Sequence, residues 1–139
     1  MCIRDSFREA NINCEGFDGN PLTPSLSREN AKVLDLACKV ELSKKFDWVL
    51  SLEVGEHIPK QFESIFLDNI CRHCVKGAVV SWAIPNQDGR GHCNCQSNAY
   101  IKQQMANRGF QVNKQAELNL RNHSSLGWFK NTIMVFIKP

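Results

Sequence analysis

Two groups of residues in this chain have the side-chain types that proton transfer requires. Glu53, Glu56 and His57 close the run FDWVLSLEVGEHIP at Phe46–Pro59, and the loop Gln87-Asp88-Gly89-Arg90-Gly91-His92-Cys93-Asn94 mixes flexible glycines with polar side chains. An imidazole titrates near ~6.5 and is largely neutral at pH 7, so His92 and His57 are candidate general bases toward a hydroxyl or an amine. A carboxylate at the end of a buried strand is costly without a partner or a water-lined pocket, which places Glu53 on the rim of a ligand site. Blander readings compete. Glu56 and His57 fit the start of the next helix, where its dipole favours an acid, and His92 fits a residue that only fastens its loop.

Positioning these groups falls to the elements around them. Trp48, Val49, Leu50 and Leu52 read as a strand over Phe46–Glu53 covered on both faces, as in parallel sheets whose carboxyl ends hold ligands. Phe62, Ile65, Phe66, Ile70 and Cys74 recur at helical spacing over Gln61–Cys74, with Pro59 near the first turn. Gly77–Ile84 is a second buried strand, stopped by Pro85. Ser97 or Asn98 caps a helix through Asn107, and Gly109 supplies the left-handed turn that ends it.

Earlier in the chain, Phe7–Asn11 reads as the tail of a helix and Ile12–Phe17 as a short extended run before the turn Asp18-Gly19-Asn20-Pro21. Leu22–Asn30 reads as a loop, and Lys32–Leu36 as a strand ending at Asp35. Two late strands are expected around Phe110–Asn119 and Asn131–Lys138. Alternation of strands and helices predicts an α/β fold: a Rossmann-like three-layer sandwich whose sheet is mainly parallel, with an antiparallel C-terminal strand.

At 139 residues the chain has room for a single globular unit with a workable core. A net charge of +3 with acids and bases interspersed argues against a nucleic-acid or anionic-membrane partner, which needs a basic patch or stripe. No apolar run approaches the ~20 residues that span a bilayer, so a soluble, cytoplasmic protein is expected. Oligomeric state leaves no mark in the sequence. Seven cysteines without a secretory pattern read as reduced thiols. Cys71-x-x-Cys74 and Cys93-x-Cys95 offer four thiolates, but the first pair falls on an expected continuous helix, so no metal is assigned.

The opening Met1-Cys2-Ile3-Arg4-Asp5-Ser6 resembles the translation of a transposon-end sequencing adapter. Residues 1–6 are therefore set aside as a scar, and the natural chain is expected to start upstream of Phe7.

The segment Phe46–Pro59 also resembles the fourth-strand motif of class I S-adenosylmethionine-dependent methyltransferases, with Asp47, Glu53, Glu56 and His57 at the family's spacing. The resemblance covers residues 7–139. It implies S-adenosylmethionine as cofactor, with Asp18 on the ribose hydroxyls, Asp35 near the adenine, and the backbone at Leu52 and Glu53 passing the cofactor. Gly91-His92-x-Asn94 is similar to a GHxN element that shapes the substrate side of the family's pocket, which makes Asn94 a candidate substrate residue, and Trp82 is a candidate for lining an apolar acceptor pocket. Trp128 and Phe129 are further aromatic candidates, with core packing as the competing role of all three aromatics. Asp18 equally suits an ordinary Asp-Gly turn, and Asp35 a loop closure.

No G-x-G-x-G turn occurs in the chain, so the family's glycine loop and first strand are expected to be missing and 7–139 to be a partial domain. The implied activity is methyl transfer to a small-molecule acceptor, impaired in this polypeptide. The alternative is a noncatalytic Rossmann-like binding or scaffold domain.

Overall fold

The computed structural model describes residues 3–139; Met1 and Cys2, which belong to the proposed scar, lie outside the described residues. The chain divides into two compact units, Met1–Leu36 and Ala37–Pro139.

In the first unit, helix α1 (Ile3–Glu9) is followed by strand β1 (Gly16–Asp18), helix α2 (Thr23–Leu26) and strand β2 (Ala31–Val33). β1 and β2 pair in parallel, Asp18 opposite Val33. The expected loop at Leu22–Asn30 thus contains a helical turn, because Pro24 sits in its first turn, where a missing N–H costs nothing. Every buried apolar side chain among the described residues lies in the second unit.

That second unit carries strand β3 (Phe46–Ser51), 3-10 turns at Gly55–His57 and Lys60–Phe62, helix α3 (Glu63–His73) and strand β4 (Cys74–Val80). Helix α4 (Asn98–Ala106), strand β5 (Gln111–Val112), helix α5 (Lys114–His123), helix α6 (Phe129–Thr132) and strand β6 (Met134–Ile137) complete it. The sheet order is β3-β4-β6-β5. β3 and β4 are parallel, and β6 runs antiparallel to both β4 and β5, so the expected antiparallel C-terminal strand is present. The single sheet expected from the strands near Ile12, Val33, Val49 and Val80 is instead split in two.

Two local expectations fail for physical reasons. β3 is not covered on both faces: it ends the strand order, and Trp48 and Leu50 on one face are 47% and 40% exposed. Nor is Phe110–Asn119 a strand. Only two residues pair before Asn113, whose side chain accepts the Ala116 N–H at 3.0 Å and starts α5 in a run of good helix formers. The helix at α4 follows the sequence closely: Ser97 Oγ accepts the Tyr100 N–H at 3.2 Å, and Gly109 has φ +83°.

Phe66, Leu67 and Ile70 turn one face of α3 into the core, and Phe66 meets Trp82 edge to face at 5.8 Å. Among the described residues no helix is long and apolar enough to cross a membrane.

Candidate active site

Beyond the end of β3 the backbone turns sharply. Glu53 adopts φ +52°, a left-handed conformation that disfavours a side-chain-bearing residue and persists only where surroundings enforce it. Its N–H donates to Ser81 Oγ at 2.9 Å, its Oε2 accepts from Gln87 Nε2 at 2.8 Å, and Thr132 Oγ1 lies 3.4 Å from Oε1 with its one proton closer to the Trp128 carbonyl at 2.9 Å. Leu52, beside it, is half-buried. Gly55 then packs so closely on the Trp82 indole that a Cβ there would overlap the ring. This contact lets the 3-10 turn lie flat on the core and carries Glu56 inside.

Glu56 is completely buried, and neither carboxylate oxygen has a hydrogen-bond partner among the described residues. Burial pushes its carboxyl above the ordinary range, and the Glu53 charge adds to the rise. Its own N–H and that of Ala83 oppose the rise without reaching hydrogen-bonding geometry. The Glu56 carbonyl, in contrast, accepts from both Cys93 N–H at 2.9 Å and Asn94 N–H at 3.0 Å, which clamps the second loop onto the first.

That clamp brings the two histidines together, their rings 5.0 Å apart and edge to face. His57 Nδ1 lies 3.1 Å from the Gly91 carbonyl and His92 Nδ1 3.1 Å from the Gln87 carbonyl. A carbonyl only accepts, so in both rings Nδ1 carries a proton, and in the neutral ring Nε2 carries the lone pair. His92 Nε2 stands 3.9 Å from Glu56 Oε1, and Cys95 Sγ lies 3.7 Å from His92 Nδ1. Glu53, Gln87, Asp88, His92 and Trp128 line an open cavity of about 280 Å³.

Asn94 and Trp82 sit behind this site. Trp82 is fully buried, and its Nε1–H donates to the Asn94 carbonyl at 2.6 Å. Asn94 Nδ2 donates to Glu63 Oε2 at 2.8 Å, while its Oδ1 accepts from Gln96 at 2.6 Å. Both therefore hold the His92 loop from below, and of the aromatic candidates it is Trp128 that reaches the cavity. Glu63 also accepts from Tyr100 OH at 2.6 Å and from Lys60 Nζ at 2.9 Å. Burial opposes this carboxylate, but the hydrogen bonds from Tyr100, Lys60 and Asn94 together hold its carboxyl below the ordinary range. The sequence reading missed this network. Its only linear trace is the Lys60/Glu63 spacing.

Asp18 ends β1 in the first unit, and its Oδ1 accepts the Asn20 N–H at 2.8 Å, an Asx turn. Asp35 lies exposed just past β2. Of the cysteines, Cys71 lies on α3 against Met105, and Cys74 opens β4 rather than continuing the helix. Among the described residues the four thiols do not form a ligand cluster.

No protein-family model matches the chain, and no curated protein matches it by sequence. Solved structures do. The chain superposes on the magnesium protoporphyrin IX methyltransferase ChlM of Synechocystis PCC 6803 with bound SAM at TM-score 0.61 and 17% identity, covering 94% of this chain and 62% of that one. LepI in complex with SAM gives TM-score 0.65 at 13% identity, covering 99% of this chain and 40% of LepI. The [4+2]-cyclase SpnF gives 0.60 at 12% identity, covering 96% and 70%. The chain spans 56–62% of the ChlM chains it matches. At these identities the likeness shows a methyltransferase-like α/β fold, and a cyclase among the matches illustrates that this fold carries more than one chemistry.

Proposed function

We propose that this protein binds S-adenosylmethionine and serves methyl transfer to a small-molecule acceptor. The observation that carries the reading is the cavity at the end of β3, where Glu53 is held in a left-handed turn and faces His92 and Gln87 in a methyltransferase-like fold. Ligands of open α/β sheets bind outside the carboxyl ends of the strands. Methyl transfer is an in-line displacement, so the protein has to bind, align and remove a proton from the acceptor. His92 and His57, whose Nε2 carries the lone pair in the neutral ring, supply acceptors for that proton. Asp18 is assigned to the ribose hydroxyls, Asp35 to the adenine side, and Leu52 and Glu53 to the cofactor as it passes the strand end. Asn94 and Trp82 support the acceptor side by fixing the His92 loop.

Isothermal titration with S-adenosylmethionine, followed by transfer of a labelled methyl group to a panel of small phenols, catechols and amines, tests the reading. Weak cofactor binding, as the missing G-x-G-x-G turn implies, with label transfer that falls further in His92→Ala is the expected result. No cofactor binding would favour the scaffold alternative, and binding without transfer to any acceptor would limit the protein to a cofactor-binding role.

A further inference from the structure

We propose that Glu56, His57 and His92 form a binding site for one divalent first-row transition-metal ion. One ligand atom from each of the three lies within 4.8 Å of the others. Atoms that share an ion at ~2.0–2.2 Å stand about 3–3.5 Å apart, so a small side-chain rotation, well within the reach of exposed His57, closes the set.

Three independent features point to a cation. The first is the orphaned Glu56 carboxylate: a native fold seldom buries two unpaired carboxylate oxygens, and a group placed so must acquire either a proton or a positive ion. Second, its neighbours are two imidazoles, His92 with Nε2 3.9 Å from Oε1 and His57 with a ring nitrogen within 4.8 Å, and neutral imidazole is a good ligand. Third, each imidazole has its Nδ1 within 3.1 Å of a backbone carbonyl, Gly91 for His57 and Gln87 for His92, the kind of contact that fixes the tautomer of metal-binding histidines and leaves Nε2 for the ion. Glu53, close enough for its charge to be felt at Glu56, adds negative potential.

Two imidazole nitrogens with carboxylate oxygen suit borderline ions such as Fe²⁺, Co²⁺ or Zn²⁺ and also take the harder Mn²⁺, and leave positions open for water or an acceptor oxygen. The cysteines, on which the expectation of no metal rested, take no part. Binding of the ion does not depend on the methyl-transfer reading. With the ion bound, His57 and His92 would hold it in place of accepting the acceptor's proton, and a coordinated acceptor hydroxyl would lose that proton more readily through the ion's charge.

The test uses Mn²⁺, a poor thiolate ligand-seeker, so that seven cysteines do not compete. Titration of the chelator-treated 139-residue chain, followed by loss of the free-Mn²⁺ paramagnetic resonance signal and without any S-adenosylmethionine, is expected to give one ion per chain. His57→Ala, at an exposed position, and Glu56→Gln are each expected to weaken binding at least tenfold with circular dichroism unchanged for His57→Ala. Less than half an ion per chain in the wild type would overturn the proposal. So would equal affinity in wild type and His57→Ala, which would mark adventitious surface binding.

Discussion

His92 Nε2 stands 3.9 Å from Oε1 of Glu56, although the two residues belong to loops that follow different strands of one sheet. The Glu56 carbonyl makes this possible by accepting two consecutive N–H groups from the His92 loop. Local backbone clamping, rather than attraction between the two side chains, sets the distance. A change that moves the His92 ring therefore affects the site without touching the core.

Gly89 is the simplest place to make such a change. A Cβ there would overlap the His92 imidazole, the mobile end of a side chain that turns aside at little cost. Gly89→Ala is expected to shift the melting temperature by no more than about 2 °C while lowering Mn²⁺ affinity and methyl transfer about tenfold or more. Calorimetry and the two functional assays on one preparation check it.

Gly55→Ala has the opposite signature. Its Cβ would meet the buried Trp82 ring, which is packed on all sides and has nowhere to go. Overpacking of this kind costs about 1–3 kcal/mol, visible as a lower urea midpoint at unchanged slope.

The Glu63 network gives a pH dependence. The folded-state carboxyl is held below its ordinary value of 4.5, so its contribution is fully present above that value and is lost as pH falls through the lower folded value. Stability of the wild type should fall with acid below about pH 4.5, and Glu63→Gln should flatten that part of the profile. Tyr100→Phe should cost about 1–3 kcal/mol at neutral pH, because it takes one donor from a buried carboxylate. Denaturant titrations at a series of pH values measure both.

Thiol reactivity should divide by environment. Burial pushes the Cys71 thiol up to about 12 and raises that of buried Cys74, whereas Cys93 is exposed. Alkylation of native protein with iodoacetamide, read by mass spectrometry, should label Cys93 well before Cys71 or Cys74. Equal labelling would mean that the α3–β4 junction opens.

Asp18 can be tested apart from its turn. Asp18→Asn keeps an oxygen able to accept the Asn20 N–H but removes the charge that would hold two ribose hydroxyls. About a tenfold rise in the dissociation constant for S-adenosylmethionine, with unchanged thermal stability, is expected. Unchanged affinity would leave Asp18 as a turn residue alone.

The sequence by itself determined the elements with strong periodicity and clear stops. Phe62 to Ile70 set α3, Ser97 and Gly109 bounded α4, and alternating Ile133, Val135 and Ile137 marked β6, because cap chemistry and apolar spacing act over a few residues. The segment Glu53–His57 was also legible as a polar strand end. Only the tertiary structure decided the rest. Whether β3 lies inside or at the end of its sheet depends on which strands pair, so the exposure of Trp48 and Leu50 could not be read from an apolar run. Asn113 started a helix where β-rich residues nearby suggested a strand, since a single side-chain cap outweighs weak strand propensity at a sheet edge. Glu56 looked like the acid at a helix start, and its full burial follows from Gly55 seating on Trp82, a contact between residues far apart in the chain. Which carboxylate loses its water, and which two histidines then face it, are long-range packing outcomes that spacing along the chain does not encode.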